Sequence, residues 1–172
     1  MRFKEIILLS LLALWVVGCS SGGPQRPNAT SQSAPDVKDS EGRTALMRAV
    51  DGGDSEGARK LVEQGADVNA QSPAGVTPLM NAAGMGKEEL VELLIAKGAD
   101  VNHKTSGNYT PLMQAALVGQ IEIVKILLDA GADPNVADNS GRTAAMYAKE
   151  KQRADIVELL NQKGGDASAG KN

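Results

Sequence analysis

Thr44, Thr77, Thr110 and Thr143 recur at a constant step of 33 residues along this chain of 172. Gly65, Gly98, Gly131 and Gly164 keep that step, as do Met47, Met80, Met113 and Met146. A fixed period of this size marks stacked supersecondary units, because one such unit cannot cover its own apolar face. Arrays of this kind offer extended binding surfaces and seldom carry chemistry.

Within one period the second copy reads Thr77-Pro78-Leu79-Met80, Ala82-Ala83, Gly86, Leu90-Val91, Leu93-Leu94 and Gly98-Ala99-Asp100-Val101-Asn102. Thr77 suits an N-cap, where its hydroxyl accepts from an orphan backbone N–H. Pro78 fits the first helical position, which loses no bond for want of an N–H. Ala82 and Ala83 allow a short first helix to approach its neighbours, and Gly86 ends it. Leu90, Val91, Leu93 and Leu94 form the apolar stripe of a second helix. Gly98 supplies the left-handed residue that stops it. Segments rich in Asn, Asp, Ser and Gly then turn into the next copy. The third copy repeats the plan as Thr110-Pro111-Leu112-Met113, Ala115-Ala116, Gly119, Ile123-Val124, Ile126-Leu127-Leu128 and Gly131-Ala132-Asp133.

This pattern, from Val37 to Asp166, resembles the ankyrin repeat family. The resemblance implies an all-α solenoid of four units, each two antiparallel helices plus a projecting β-hairpin turn, in a curved stack. The chain departs from the family in having methionine, not histidine, after each Thr-Pro-Leu or its equivalent. The polar link between that histidine and the threonine is therefore absent, and Met fills the space without a hydrogen bond. Asn108 replaces the turn glycine of the third copy and tolerates the same left-handed backbone. The end copies are more polar: Gly57, Arg59 and Lys60 stand where the second copy has Leu90, Glu92 and Leu93, and Asn161 replaces Leu128. A terminal repeat must present one face to water.

Met1-Arg2-Phe3-Lys4 gives a positive start to an apolar run from Ile6 to Val17, 12 residues with Ser10 the one polar member. At about 1.5 Å per residue the run reaches roughly 18 Å, short of a bilayer core near 30 Å, so it reads as a secretory segment. Val16-Val17-Gly18-Cys19 resembles the lipobox of bacterial lipoproteins. That resemblance implies that Cys19 carries a diacylglycerol and becomes the acylated N-terminus, and that Ser20 directs sorting to the outer membrane of a Gram-negative cell. The alternative is ordinary signal cleavage nearby, leaving a free thiol. Cys19 is the single cysteine, so no internal disulfide can form, and a lone thiol outside the cytoplasm would be a liability. Ser20 to Asp36 is a Gly, Ser, Pro, Gln and Asn linker that, as a flexible coil, spans roughly 20–25 Å. The expected organisation is a signal peptide at 1–18, a lipidated cysteine and linker at 19–36, and a repeat domain at 37–166. Its units fall at about 37–69, 70–102, 103–135 and 136–166, followed by a disordered tail at 167–172.

Composition excludes several functions. The chain has 18 Lys and Arg against 21 Asp and Glu; without Arg2, Lys4 and Glu5 the mature charge is near −4. No basic stripe exists for phosphate binding. Phe3 and Trp15 leave with the signal, so Tyr109 and Tyr147 are the remaining aromatics, too few for a base-stacking platform. Nucleic-acid binding is not expected. The one histidine, His103, lies between the second and third copies with no thiol to pair with, and no nucleophile-elbow pattern occurs. Asp67, Asp100 and Asp133 are read as turn chemistry and not as metal ligands. Gly84-Met85-Gly86-Lys87 lacks the spacing and the preceding strand of a phosphate loop. The expectation is no enzyme, no metal and no cofactor.

The family resemblance implies that a protein partner is held by the hairpin tips and the concave face of the first helices. Positions that vary between copies there are Arg43, Val76, Tyr109 and Arg142 before each threonine, and Asp51-Gly52, Gly84-Met85, Leu117-Val118 and Glu150-Lys151 at each first helix's end. The candidate surface has Val76, Met85, Tyr109, Leu117 and Val118 at its centre, with Arg43 and Arg48 on one side and Arg142 and Lys151 on the other. An apolar, aromatic centre with a charged rim is the anatomy of a protein interface. The alternative is that Tyr109, Leu117, Met85 and Val118 cover helix ends as packing. The expected function is a monomeric, lipid-tethered binding module on the periplasmic face of the outer membrane. It would either neutralise an antibacterial effector enzyme, as an immunity protein does, or support a periplasmic enzyme, as secreted bacterial ankyrin proteins linked to peroxide protection do.

Overall fold

The computed structural model describes residues 36–164. The signal segment, Cys19, the linker before Asp36 and the tail at 167–172 lie outside them. Eight helices run through the described residues in four pairs: α1 Ala45–Asp51 with α2 Ser55–Glu63, α3 Pro78–Met85 with α4 Glu88–Ala96, α5 Pro111–Val118 with α6 Ile121–Asp129, and α7 Ala144–Glu150 with α8 Ala154–Gln162. No strand occurs among the described residues.

Each pair begins as the repeating threonine dictates. Thr44, Thr77 and Thr110 sit in extended backbone and accept through Oγ1 from the N–H groups of Met47, Met80 and Met113 at 3.3, 3.4 and 3.3 Å. Thr143 occupies the same N-cap position before α7 and is fully buried. Pro78 and Pro111 take the first helical position. The first helices stop after two turns because the chain turns left-handed, at Gly86 with φ 67° and Gly119 with φ 88°. In the fourth repeat Gln152 occupies that register position with φ 58°, a conformation that disfavours a residue bearing Cβ.

The first helices α1, α3, α5 and α7 contact one another more extensively than the second helices do. Small residues cause this. Ala82, Ala83, Ala115, Ala116, Ala145 and Ala148 are fully buried between first helices. Leu90, Leu94, Ile123, Leu127, Ile156 and Leu160 fill the space behind them from the second helices. Burying a side chain of this size stabilises by about 1.5–3 kcal/mol. In α2 only Ala58 is buried, since Gly57 stands where α4 has Leu90. The first repeat is accordingly a thin, polar cap.

Adjacent repeats are also tied by a side-chain ladder. Asn69 donates from Nδ2 to the Gly98 carbonyl at 3.1 Å and accepts at Oδ1 from the Asp100 N–H at 2.8 Å. Asn102 repeats both bonds one unit on, to Gly131 at 3.0 Å and from Asp133 at 2.8 Å. At the head of the ladder, where a 33-residue step back from Asn69 lands on Asp36, its carboxylate accepts from the Asp67 N–H at 2.9 Å. Asp67, Asp100 and Asp133 each accept the N–H two residues on, at 2.8, 2.9 and 2.9 Å, which is the turn chemistry expected of them.

Candidate partner-binding face

The projecting turns are tight loops closed by backbone bonds, not ladders of paired strands. The N–H groups of Asp39, Ser72, Thr105 and Asp138 donate to the carbonyls of Arg43, Val76, Tyr109 and Arg142 at 2.9–3.0 Å. The side chains of the same four residues accept back from the N–H groups of those partners at 2.9–3.2 Å. Asn108 takes the left-handed turn position with φ 57°, where Gly42, Gly75 and Gly141 stand in the other copies. Its side-chain amide donates to Asn139 Oδ1 at 2.9 Å, linking the third tip to the fourth. His103 links the second and third units, with Nε2 2.9 Å from the Gly75 carbonyl.

Each turn delivers one residue to the start of the first helix of its repeat, and the pairs formed there divide the surface. In the first repeat Arg43 faces Glu41 at 3.0 Å, Asp39 at 3.4 Å and Asp51 at 3.5 Å. Asp51 also accepts from Asn81 Nδ2 at 2.7 Å. In the fourth, Arg142 faces Glu150 and Asp138, each at 3.5 Å, while Lys151 lies 3.8 Å from Glu150. Arg43–Asp51 and Arg142–Glu150 occupy equivalent positions. In the two middle repeats those positions hold Val76 with Gly84 and Tyr109 with Leu117. Arg48, expected beside Arg43, turns back to Asp39 at 3.3 Å.

Among the central residues, Val76, Tyr109 and Leu117 are half-buried, and Tyr109 and Leu117 pack against the core. Met85 and Val118 are 40% and 38% exposed and, with Val37, are the exposed large hydrophobic residues among those described. The Tyr109 ring meets the Tyr147 ring edge-on, with centroids 5.4 Å apart and planes at 87°. Such a pair contributes about 0.5–1.5 kcal/mol beyond area burial. The Tyr109 hydroxyl is buried without a hydrogen-bond partner among the described residues. Burial pushes its pKa up to about 12, with the Asp138 charge adding and Arg142 opposing. Tyr109→Phe is therefore expected to leave stability unchanged or to raise it by about 1 kcal/mol, because an unsatisfied buried hydroxyl is removed with its ring retained. Urea unfolding checks this; a loss above about 1 kcal/mol would mean that the hydroxyl has a partner.

The fourth repeat carries a cluster that sequence reasoning missed. Asp138, 9% exposed, accepts from the Tyr147 hydroxyl at 2.5 Å and from the N–H groups of Ser140 and Arg142 at 2.8 and 2.9 Å. The Arg142 guanidinium carbon lies 4.4 Å from the centre of the Tyr147 ring. Burial alone would raise the Asp138 pKa; the Tyr147 hydroxyl, the two N–H groups and the Arg142 charge outweigh it and hold the carboxyl below its ordinary range. Burial and then the bond to Asp138 push Tyr147 up to about 12. The first repeat has the counterpart in Asp39 and Arg48 at 3.3 Å, nine residues apart like Asp138 and Tyr147. An aspartate matched with a donor nine residues on, in the end copies alone, is the signal that could have found both.

A family profile described as ankyrin repeats in three copies matches residues 53–138 and again 103–171, together more than half of the chain. This chain belongs to the ankyrin repeat family. Ankyrin repeats are, as a class, non-enzymatic protein–protein interaction modules, and in this ankyrin stack Val76, Tyr109 and Leu117 stand in the middle repeats where the end repeats carry ion pairs. A comparison with curated proteins found none that matches. Among the described residues no cluster of three or more His, Cys, Asp or Glu could hold a metal ion, and no helix is long and apolar enough to cross a membrane.

Proposed function

We propose that this ankyrin protein is a lipid-tethered binding module of a bacterial envelope that holds one protein partner on the concave face of its middle repeats. The carrying observation is the replacement of the end-repeat ion pairs by Val76, Gly84, Tyr109 and Leu117 in the centre, with Met85 and Val118 exposed beside them. An apolar centre closed by polar ends excludes water from the contacts that supply most binding energy. The tether is read from Val16-Val17-Gly18-Cys19. One acyl chain anchors marginally, at about 0.8 kcal/mol per buried methylene, and several together hold firmly. An inhibitor of an antibacterial effector and a helper of an anti-peroxide enzyme would use the same face; a toxin-like or catalase-like neighbouring gene separates them.

The test is expression of the full chain and of Cys19→Ser in a Gram-negative host with an alkyne-tagged fatty acid. The wild type should incorporate the label and fractionate with outer membranes, and the variant should do neither. A wild-type chain without label would remove the tether from the proposal. Envelope crosslinking with Met85→Lys examines the binding half separately: a partner captured equally well by that variant would place the interface elsewhere.

A further inference from the structure

We infer that Met85 is a modification site, at which an oxidant of the peroxide class converts the thioether to the sulfoxide and so weakens the hold of this face on its partner. The inference rests on the proposed binding face and adds how its occupancy is controlled. Exposure singles the residue out. Met47, Met80 and Met113 are 1%, 3% and 1% exposed, and Met146 is half-buried, whereas Met85 is 40% exposed. The other four follow each Thr-Pro-Leu or its equivalent and belong to the repeat register, while Met85 closes α3 outside it. Gly84 and Gly86 flank Met85 and carry no side chain to shield its sulfur. Oxidant must touch sulfur to react, so the packing that joins the repeats also protects the buried methionines.

The step balances with one oxidant molecule. A sulfur lone pair attacks the terminal oxygen of a hydroperoxide, and the O–O bond breaks as the S–O bond forms. The hydroxyl proton passes to the departing oxygen, which leaves as an alcohol, or as water from hydrogen peroxide. Sulfur gives up two electrons and the peroxide takes them. The product is a polar, chiral side chain where an apolar one stood. Neither Met85 nor Val118 is among the residues that form the core or pack against it, so the change leaves the repeat folded. It falls on the contact surface instead, where Met85 and Val118 are exposed at equivalent positions of the two middle repeats. A partner that seats an apolar group there must desolvate a sulfoxide oxygen without offering it a hydrogen bond, which costs affinity. Sulfoxide reductases return the thioether, so the modification is reversible.

The experiment treats the full-length chain with dilute hydrogen peroxide and follows each methionine by peptide mass spectrometry, with the far-UV spectrum as control. Envelope crosslinking then compares treated and untreated chain. Met85 should gain one oxygen at least about tenfold faster than Met47, Met80 and Met113, with Met146 between them and the helical signal unchanged. The treated wild type should lose the crosslinked partner, and reductases for both sulfoxide epimers should restore it. Met85→Leu, similar in volume and without sulfur, should capture the partner with or without peroxide. Oxidation of Met85 no faster than that of the buried methionines overturns the modification site and leaves the binding face standing. Capture that survives complete oxidation of Met85 yet is lost in Met85→Lys overturns the control of binding, again keeping the face. Loss of capture by peroxide-treated Met85→Leu overturns it too, by assigning the effect to another group. Capture undisturbed by Met85→Lys, or absent from the untreated wild type, overturns the face and the control with it.

Discussion

Leu127→Ala is expected to cost about 3 kcal/mol and to separate the unfolding of the fourth repeat from that of the others. Leu127 has no exposed surface and sits in α6, which packs on α4, α5 and α8. A cavity there weakens both the third unit and the interface that keeps the fourth folded. In a linear array each unit depends on its neighbours alone, so weakening one link near the end uncouples what lies beyond it. The Tyr109–Tyr147 pair spans that interface and reports on it. In a Trp15→Phe background, the near-UV tyrosine signal should disappear at lower urea than the far-UV helix signal. Coincident transitions with a loss below about 1 kcal/mol would show that the stack unfolds as one body at this depth.

Asp138→Ala is expected to destabilise the protein by about 2–3 kcal/mol at neutral pH, the range for a lost buried hydrogen bond to a charged group. Two turn N–H groups and the Tyr147 hydroxyl lose their acceptor together. A melting shift of about 10 °C should follow for a domain of this size. The loss should also depend on pH. Asp138 titrates below its ordinary range in the folded protein, so its contribution is complete above the unfolded carboxylate value near 3.9 and vanishes as pH falls through the lower folded value. The gap between wild type and variant should thus narrow below about pH 4. Some acid sensitivity should persist in the variant, because Asp39 is lowered too, foremost by its bond from the Arg43 N–H. A gap that stays constant from pH 7 to pH 3 would assign the loss to packing instead.

Most of the helical framework was legible because it is written locally. Thr44, Thr77 and Thr110 act within three residues of themselves, Pro78 and Pro111 within one, and Gly86 and Gly119 at a single left-handed position. Asn108 was legible as a glycine surrogate for the same reason. The ladder was not, since Asn69 and Asn102 find their partners 29 and 31 residues away, where only the stacked fold places them. Asp36 escaped notice because it performs asparagine's acceptor role without asparagine's identity. The candidate rim was legible as composition but not as energetics. Arg43 and Arg142 are spent on carboxylates of their own repeats, and their eight-residue spacing from Asp51 and Glu150 has meaning only once a helix carries both.

The Asn69 bonds fasten the first unit to the second, and the Asn102 bonds the second to the third, with an identical pair of contacts, so that joint is modular. Duplicating one 33-residue middle stretch in frame would reproduce the joint without disturbing either charged terminus. Such a chain would gain a longer floor of the same kind, which makes the reach of this receptor a matter of how many inner tiles are copied.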